Sequence, residues 1–445
     1  MLPEFAIAAA AVACSFVVEA IAVPRAALCR PIVAVSLHVV ALAVVAGAST
    51  AITGRPLFSM AIATALIVLL AVVSNAKFES LRESFVFTDM SLFSQALSHP
   101  RLYLPFLGIG KMLAVLVVMI AAVAGFLAEA PIEALQRSAV GLIAMLCLPV
   151  CVALSRHLPL SLDPLLDQRR IGFFAAFVAY VANGLARTER RAFARATEKG
   201  PFASGDPLAY PDTHPHPDVI VIQSESYFDA RRLGGCVMSG PYANLDRIRR
   251  EAFAQGRLTV PAWGANTMRS EFSMLTGLPM AALGYARFYP YWYVRRACAS
   301  VAGWFKRGGY RTLAVHPYYA DFFGRNRAFR LMNFDRFLDI KHFAGATRVG
   351  PYVGDVALAD ALIALLQQHD DKPVFAFAIT MENHGPLHLE QVAQGESHGR
   401  HTLGEDARWR DLTAYLRHIE NADRMLAQLI DYLRKRERPA VLCFY

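Results

Sequence analysis

Polar residues capable of metal and phosphate chemistry directly follow three short apolar stretches of the chain. Glu225 follows "DVIVIQS", His316 follows "YRTLAV", and Glu382, Asn383 and His384 follow "PVFAFAITM". A carboxylate can hold a divalent cation, and an imidazole can donate to a phosphate or shuttle a proton. Because ligands of open α/β sheets bind beyond the carboxyl ends of the strands, we expect these residues to converge on one crevice.

A candidate nucleophile lies between the first two apolar stretches, in "VPAWGANTMRSEFSMLTGLP" (260–279). Gly264 and Asn266 indicate a turn, and the residues after them are typical of the start of a helix. Thr267 would then lie at a helix N-terminus, where backbone N–H groups and the helix dipole favour a bound phosphoryl group. Two interpretations are equally supported by this local pattern: Thr267 is a helix N-cap, or its hydroxyl is a nucleophile activated by a metal ion.

Four apolar stretches of the C-terminal half have the pattern of buried strands. They are "DVIVIQSES", "YRTLAVHPYY", "PVFAFAITMENH" and "PAVLCFY". Continuous apolar strands that alternate with helical stretches predict an α/β fold with a mainly parallel central sheet. A polar, proline-rich segment at 206–218 precedes the first strand, so we place this soluble domain at 216–445.

The N-terminal part has the composition of a membrane domain. Hydrophobic residues make up 55% of the chain, which is high for a soluble protein. We predict about five membrane-spanning helices within residues 1–156, because five apolar stretches approach the ~20 residues that a helix needs to cross a bilayer. These stretches lie at 4–23, 31–50, 56–75, 102–127 and 138–155.

A juxtamembrane helical linker is predicted at 157–215. Within it, the short apolar stretch 171–186 leads into basic residues, and we expect it to lie on the membrane surface. Five spans would put the N-terminus and the large domain on opposite sides of the membrane. We place the domain outside, although the loop charges oppose that orientation. The loops that would be outside hold most of the basic residues, namely Arg25, Arg30, Lys77, Arg82 and Arg101, against Arg55 and Arg137 inside.

Charge and cysteine content exclude some classes of protein. The net charge of +9 is carried mainly by arginine, without a lysine-rich tract or a basic aromatic module, so we expect no nucleic-acid partner. The seven cysteines show no CxxC spacing and no disulfide framework. A sulfatase activity is disfavoured as well, because no CxPxR or SxPxR stretch is present for conversion to formylglycine.

Four motifs in order resemble those of the lipoteichoic acid synthase group, the phosphoglycerol transferase branch of the alkaline phosphatase and sulfatase superfamily. They are "IQSES", "ANTMRSEFSMLTG", "HPYYADFFGRN" and "TMENHGP". Five N-terminal spans followed by an extracellular catalytic domain are similar to this family too. The resemblance implies transfer of phosphoglycerol from a phosphatidylglycerol-type lipid to an envelope glycan or polymer, at the outer face of the cell membrane.

The same resemblance implies a role for each motif residue. Glu225 corresponds to a metal ligand, and Thr267 to a second ligand that is also the nucleophile and forms a phosphothreonine intermediate. The implied cofactor is one divalent cation, with Mn²⁺ preferred over Mg²⁺ or Zn²⁺. Residues expected to contact phosphate or glycerol are His316, Arg325, His384 and Phe323, the last of which stands where the family commonly has Trp.

Two further metal ligands of the family, an adjacent Asp-His pair, are absent where the last predicted strand ends. We expect this pair to follow Tyr445, in a longer chain of which these residues are a fragment, and we expect the fragment alone to be inactive. Two alternatives are kept. One is phosphoethanolamine transfer within the same superfamily, and the other is a non-catalytic membrane protein that binds a glycan or regulates a partner.

Overall fold

The computed structural model describes residues 2–91, 109–205, 216–262, 265–368 and 371–445. The chain forms two compact units. The helical unit comprises Met1–Ala192 and Gly284–Phe288, and the sheet unit comprises Phe193–Leu283 and Tyr289–Tyr445.

Helices occur at all five of the apolar stretches predicted to span a membrane. Residues 102–108 of the fourth stretch lie outside the described residues. In the part of the chain that is described, three helices (α2, α3 and α5) are long and apolar enough to cross a membrane. The five helices are α1 (Leu2–Glu19), α2 (Ile32–Thr53), α3 (Pro56–Leu81), α4 (Ile109–Ala128) and α5 (Ala134–His157).

Small residues bring α2 and α5 into close contact. A Cβ atom added to Gly47 would lie 2.9 Å from the Cβ of Ala144, and one added to Gly141 would lie 3.0 Å from the Cβ of Ala51. Larger side chains at these positions would push the two backbones apart. Close packing through Gly and Ala is typical of helices that associate inside a bilayer.

Three shorter helices follow. They are α6 (Pro164–Ile171), α7 (Phe173–Gly184) and α8 (Arg187–Glu198). Helix α7 packs against α2 and α5, with Phe173, Phe174 and Tyr180 buried, and its expected position at the membrane surface stays a prediction. Its apolar residues encircle the helix, so no polar face is available for water, and the Phe174 N–H donates to the buried Glu19 carboxylate over 2.7 Å.

A five-stranded parallel sheet forms the centre of the sheet unit, which confirms the predicted fold class. Its spatial order is β3-β2-β6-β1-β7. All four predicted strands are present, and β3 is an addition. The strands are β1 (Asp218–Gln223), β2 (Arg311–Val315), β3 (Arg336–Leu338), β6 (Val374–Ile379) and β7 (Ala440–Phe444), and β4 (Arg348–Val349) pairs antiparallel with β5 (Tyr352–Val353) apart from this sheet.

Helices cover both faces of the sheet, because the central strands are apolar on both sides. On one face Ile222 and Leu313 pack with helix residues such as Leu362 and Met425. On the other face the Phe305 ring stacks on that of Phe375 at 4.7 Å. The helices of this unit are α9 (Ala243–Glu251), α10 (Met268–Thr276), α11 (Pro290–Tyr293), α12 (Val301–Arg307), α13 (Arg325–Leu331), α14 (Asp355–Gln368) and α15 (Arg410–Leu433).

The register of the sheet brings the carboxyl ends of the central strands level. Gln223 at the end of β1 pairs with Ile379 at the end of β6, and Val315 at the end of β2 pairs with Ala378. Side chains that follow these three strands therefore meet at one edge of the sheet.

Candidate phosphoryl-transfer site

Glu225 lies at this edge, two residues beyond the end of β1, and is 8% exposed. Its N–H donates to the Thr380 hydroxyl at 2.8 Å, and the Ser226 hydroxyl donates to its Oε1 at 2.9 Å. Within the described ranges, Oε2 accepts no hydrogen bond. The backbone and one oxygen of Glu225 are thus held in place, while the other oxygen is left for a ligand.

Thr267 directly precedes α10, as predicted, but its side chain does not cap the helix. Its backbone is helical, with φ −53° and ψ −28°, and its hydroxyl makes no capping hydrogen bond. The preceding Asn266 has φ 57°, which turns the chain sharply into the helix. Gly264, the other predicted turn residue, lies outside the described residues. Of the two interpretations of Thr267, the capping one is not supported, and the half-buried hydroxyl is not engaged by α10.

Arg325 is the first residue of α13 and is 1% exposed. Its Nε and Nη2 donate to the two carboxylate oxygens of Glu271, at 2.9 and 2.5 Å. Glu271 also accepts from the Tyr291 hydroxyl at 3.0 Å and from the Gln223 amide at 3.4 Å. Burial and then the Glu271 carboxylate raise the pKa of Tyr291 well above its usual range. The fork expected to bind phosphate is therefore already paired along one edge.

His316 follows β2 directly and has both ring nitrogens in contact with protein groups. Nδ1 lies 3.1 Å from the Ile379 carbonyl oxygen, and Nε2 lies 3.4 Å from Nη1 of Arg325. A carbonyl can only accept and a guanidinium can only donate, so these partners assign the proton to Nδ1. Burial and then the Arg325 charge lower the pKa of His316 well below its usual range. His316 is therefore a neutral, fully packed residue.

His384 and Phe323 are more accessible to a ligand. His384 is half-buried, its Nδ1 lies 2.8 Å from the Gly385 carbonyl oxygen, and its ring meets that of Tyr352 at 5.8 Å. Nε2 is thus the His384 nitrogen available for proton transfer. Phe323 adopts φ 57°, and its ring lies 5.1 Å from the Arg325 guanidinium carbon. Such a backbone is costly for an aromatic residue, so the surrounding packing must hold it in place.

A second buried carboxylate, Glu382, lies behind His384. Its Oε2 accepts from the Asp355 N–H at 2.7 Å, and its Oε1 lies 2.9 Å from Nδ1 of His418 and accepts from the Asn421 amide. Nε2 of His418 lies 3.1 Å from the carboxylate of Glu390. These contacts fix the loop that carries His384 onto α15. No local pattern in the sequence predicts these partners of Glu382.

Electrostatic effects show that the predicted residues share one environment. Burial tends to lower the pKa of Arg325, but Glu271, with smaller contributions from Tyr291 and Glu225, raises it. The charge of His384 contributes to the lowered pKa of His316. His316 contacts both Arg325 and the end of β6, and Glu225 bonds to Thr380 directly after β6, so these residues and His384 lie at the same edge of the sheet.

Two of the predicted site residues carry oxygen donors of the kind that bind a divalent cation: Glu225 at the end of β1, and Thr267, one helical turn before the Arg325 partner Glu271. The carboxylate of Glu225 and the hydroxyl of Thr267 suit a hard metal ion. Within the described ranges, no group of three or more His, Cys, Asp or Glu side chains could hold a metal ion. The expected Asp-His pair stays a prediction. The residues present thus fit part of a metal site.

A match to a family model identifies the domain that carries these residues. Residues 217–445 match the model described as Sulfatase, which is just over half of the chain. The chain belongs to the sulfatase family. This confirms the resemblance to the alkaline phosphatase and sulfatase superfamily that the four motifs indicated. The sulfatase-family domain corresponds to nearly all of the sheet unit.

Individual proteins similar to this chain come from several bacteria. The capsular polysaccharide biosynthesis protein RkpI of Rhizobium meliloti is 29% identical over 416 residues, which cover 89% of this chain and 74% of RkpI. The Streptococcus pyogenes phosphoglycerol transferase GacH, solved with sn-glycerol-1-phosphate, is 20% identical with a TM-score of 0.46, covering 59% of this chain and 66% of GacH.

A third protein is similar over both parts of the chain. The lipooligosaccharide phosphoethanolamine transferase A (EptA) of Neisseria meningitidis, an integral membrane protein, is 12% identical with a TM-score of 0.47. The match covers 87% of this chain and 74% of EptA. Both structural similarities fall below a TM-score of 0.5, so they do not assign a substrate.

Proposed function

We propose that this protein is a membrane-anchored transferase that moves a phosphoglycerol group from a phosphatidylglycerol-type lipid to an envelope glycan or polymer. The observation that carries the proposal is the Thr267 hydroxyl, which lies at the N-terminus of α10 without capping it. A helix N-terminus favours a bound phosphoryl group. Membership of the sulfatase family supports phosphoryl or sulfuryl chemistry at this position.

The proposed first half-reaction forms a phosphothreonine. Thr267 Oγ attacks the phosphorus of the lipid, a bond from Oγ to phosphorus forms, and the bond from phosphorus to the diacylglycerol oxygen breaks. The leaving oxygen takes up a proton, and Thr267 loses its own. In the second half-reaction the acceptor hydroxyl loses its proton and its oxygen attacks the same phosphorus. The bond from Thr267 Oγ to phosphorus breaks, and Oγ regains a proton.

We propose that His384 moves these protons. Its Nδ1 is bonded to the Gly385 carbonyl, which leaves Nε2 for the leaving or attacking oxygen. His316 is not available for this role, because both of its nitrogens already contact Ile379 and Arg325. Arg325 instead supplies positive charge beside the phosphoryl group.

Glu225 and Thr267 are the residues of this chain that would hold the proposed divalent cation, Mn²⁺ or otherwise Mg²⁺ or Zn²⁺. When bound, such an ion favours the deprotonated Thr hydroxyl and offsets the negative charge of the phosphoryl oxygens. The fixed backbone of Glu225 keeps its carboxylate at the strand end for this purpose.

The acceptor is proposed to be a capsular polysaccharide or another envelope polymer at the outer face of the cell membrane. The similarity to RkpI supports the capsular alternative over teichoic-acid-like polymers. A putative cyclic beta-1,2-glucan modification protein of Rhizobium meliloti, 27% identical over 292 residues, supports a glucan acceptor as well. Helices α2, α3 and α5, each able to span a membrane, would keep the sulfatase-family domain close to its lipid donor.

The test is lipid turnover by the full-length protein, and not by residues 1–445 alone, in membranes of an expressing cell. Phosphatidylglycerol labelled in its head group should label Thr267, detected in a proteolytic peptide, and release diacylglycerol. Thr267→Ala should lower turnover about 10⁴-fold or more. Ser270→Ala, which removes a hydroxyl one turn further along α10, is the matched control and should leave turnover unchanged.

Three outcomes would decide between the candidates. Turnover that persists in Thr267→Ala would overturn the phosphothreonine. Preference for phosphatidylethanolamine over phosphatidylglycerol would favour the phosphoethanolamine alternative. Turnover of neither lipid by the wild-type protein, with retained binding of a capsular polysaccharide, would favour the non-catalytic glycan-binding protein.

A further inference from the structure

Glu271 lies one helical turn after Thr267 on α10 and is fully buried. Its carboxylate meets the guanidinium of Arg325, whose side chain is also nearly fully buried, at 2% exposure. The two residues are 54 positions apart in sequence. The helix that directly follows the proposed nucleophile therefore also carries the carboxylate that pairs with Arg325.

The pairing uses a specific edge of the Arg325 guanidinium. Nε and one N–H of Nη2 donate to Glu271, and Nη1 faces Nε2 of His316. A guanidinium has five N–H groups, so two remain, one on each terminal nitrogen. A phosphoryl oxygen can therefore accept hydrogen bonds only from the remaining N–H groups of Nη1 and Nη2, at the end of the guanidinium that points away from Glu271.

The contacts on either side restrict movement of this assembly. Glu271 is held by the Tyr291 hydroxyl at 3.0 Å, and His316 is held by the Ile379 carbonyl at 3.1 Å. Arg325 lies between them, and the Glu225 charge acts on it from the crevice. The orientation of Arg325 is thus fixed by Glu271 and His316, which do not contact the reacting atoms.

We propose that Glu271 is a positioning residue that holds Arg325 by its side edge, so that only the end of the guanidinium meets the phosphoryl group. The role rests on the proposed phosphoryl transfer. Holding the guanidinium before the reaction avoids the cost of ordering it in the transition state. Thr267 directly precedes α10 and Glu271 lies on it. The nucleophile and the Arg325 guanidinium, whose charge offsets that of the phosphoryl group, therefore keep a fixed separation.

Chemical rescue tests this proposal. Arg325→Ala should lower kcat/KM about a hundredfold or more, as loss of a transition-state donor does. Free guanidinium should then enter the vacated space, bind Glu271 and restore kcat/KM at least roughly tenfold. The double variant Arg325→Ala with Glu271→Gln should not be rescued. Arg325→Ala with Glu420→Gln, which changes a surface carboxylate paired with Arg400, is the matched control and should be rescued fully.

Equal rescue with and without the Glu271 carboxylate would overturn the proposal. The single variant Glu271→Asp provides a test that does not depend on the folding of Arg325→Ala. It keeps the charge but moves the carboxylate, so kcat and kcat/KM should fall together, with KM unchanged. A lowered Tm with unchanged kcat would show that Glu271 has only a structural role.

Guanidinium binding separates failure of this inference from failure of the proposed function. A rise in the Tm of Arg325→Ala with guanidinium, absent when Glu271 is also replaced, needs no turnover. If the wild-type protein turns over no lipid, the proposed function fails, while this Tm difference still decides whether Glu271 holds the guanidinium. If turnover is normal and the Tm difference is absent, only the positioning role fails.

Discussion

The two buried carboxylates beside the crevice, Glu271 and Glu382, are stabilised in different ways. Both are fully buried. Glu271 faces the permanent charge of Arg325 along two hydrogen bonds. Glu382 instead accepts from a backbone N–H, from the Asn421 amide and from the His418 ring. One side of the crevice is thus built on a bidentate ion pair and the other on several single hydrogen bonds.

The two arrangements predict different losses of stability when Glu271 or Glu382 is replaced. An arginine keeps its charge at every pH at which the protein is folded, so loss of Glu271 leaves that charge buried without compensation. Glu382 is shared among several weaker donors, and His418 keeps a second carboxylate, Glu390, 3.1 Å from its other nitrogen. We therefore expect substitution of Glu271 to lower the free energy of unfolding more than substitution of Glu382 does.

The largest expected effect is that of Glu271→Gln on stability. Breaking a buried ion pair by removing one partner costs about 3–5 kcal/mol of unfolding free energy. The measurement is denaturant unfolding of the purified protein followed by tryptophan fluorescence. Among the described residues, Trp292, Trp304 and Trp409 lie in the sheet unit, so this signal reports on the unit that contains the pair.

A double variant checks the reason for that loss. Glu271→Gln with Arg325→Gln removes both charges and should recover most of the lost stability, since no unpaired charge remains. A double variant as unstable as the single one would show that packing, and not charge, dominates at Glu271.

Glu382→Gln should have the next largest effect, about 1–3 kcal/mol, because a neutral amide still accepts from the Asp355 N–H but no longer matches His418. The same fluorescence measurement applies. A loss as large as that of Glu271→Gln would remove the contrast between the two sides.

Acid should destabilise the protein through His316. Its pKa is lowered in the folded state by burial and by Arg325, so below the usual value of about 6.5 the unfolded chain binds more protons. Stability is therefore independent of this residue above that pH. Below it, stability falls by up to about 1.4 kcal/mol per pH unit.

His316→Asn tests that assignment in unfolding series at several pH values. The variant should lose part of the acid dependence while keeping a flat profile above neutrality. An acid limb identical to that of the wild-type protein would show that His316 is not the residue that takes up the proton.

The smallest expected effect is that of Glu420→Gln. Its carboxylate meets Arg400 at 2.7 Å, but the side chain is 35% exposed, so water and salt screen the pair. We expect less than about 1 kcal/mol, reduced further at high salt. A larger loss would mean that exposed pairs matter here as much as the buried one does.

The strands and the site positions could be predicted because both depend on local pattern. The runs that form β1, β2, β6 and β7 are continuous and apolar, which suits burial between two layers of helices. Strand β3 was missed because "RFL" is only three residues long and begins with the exposed Arg336.

The partners of the site residues could not be predicted in the same way. Glu271 gave a signal, since it shares the buried face of α10 with Met268, Phe272 and Leu275, where a carboxylate needs a partner. Nothing local identifies Arg325, 54 positions away, as that partner. For the same reason Arg325 was expected to offer its whole fork to phosphate, whereas Glu271 occupies one edge.

The strand order of the sheet has a consequence for synthesis of the protein. Strand β1 is central, yet its Asp218 side chain bonds to the backbone of β6, 156 residues later, and to Arg436, 218 residues later. At a translation rate of 5–20 residues per second, β6 is synthesised roughly 10 to 30 s after β1. During that time an apolar strand has unsatisfied edges, a hazard for aggregation. Because the sheet is completed late, we expect folding of this domain to depend on chaperones.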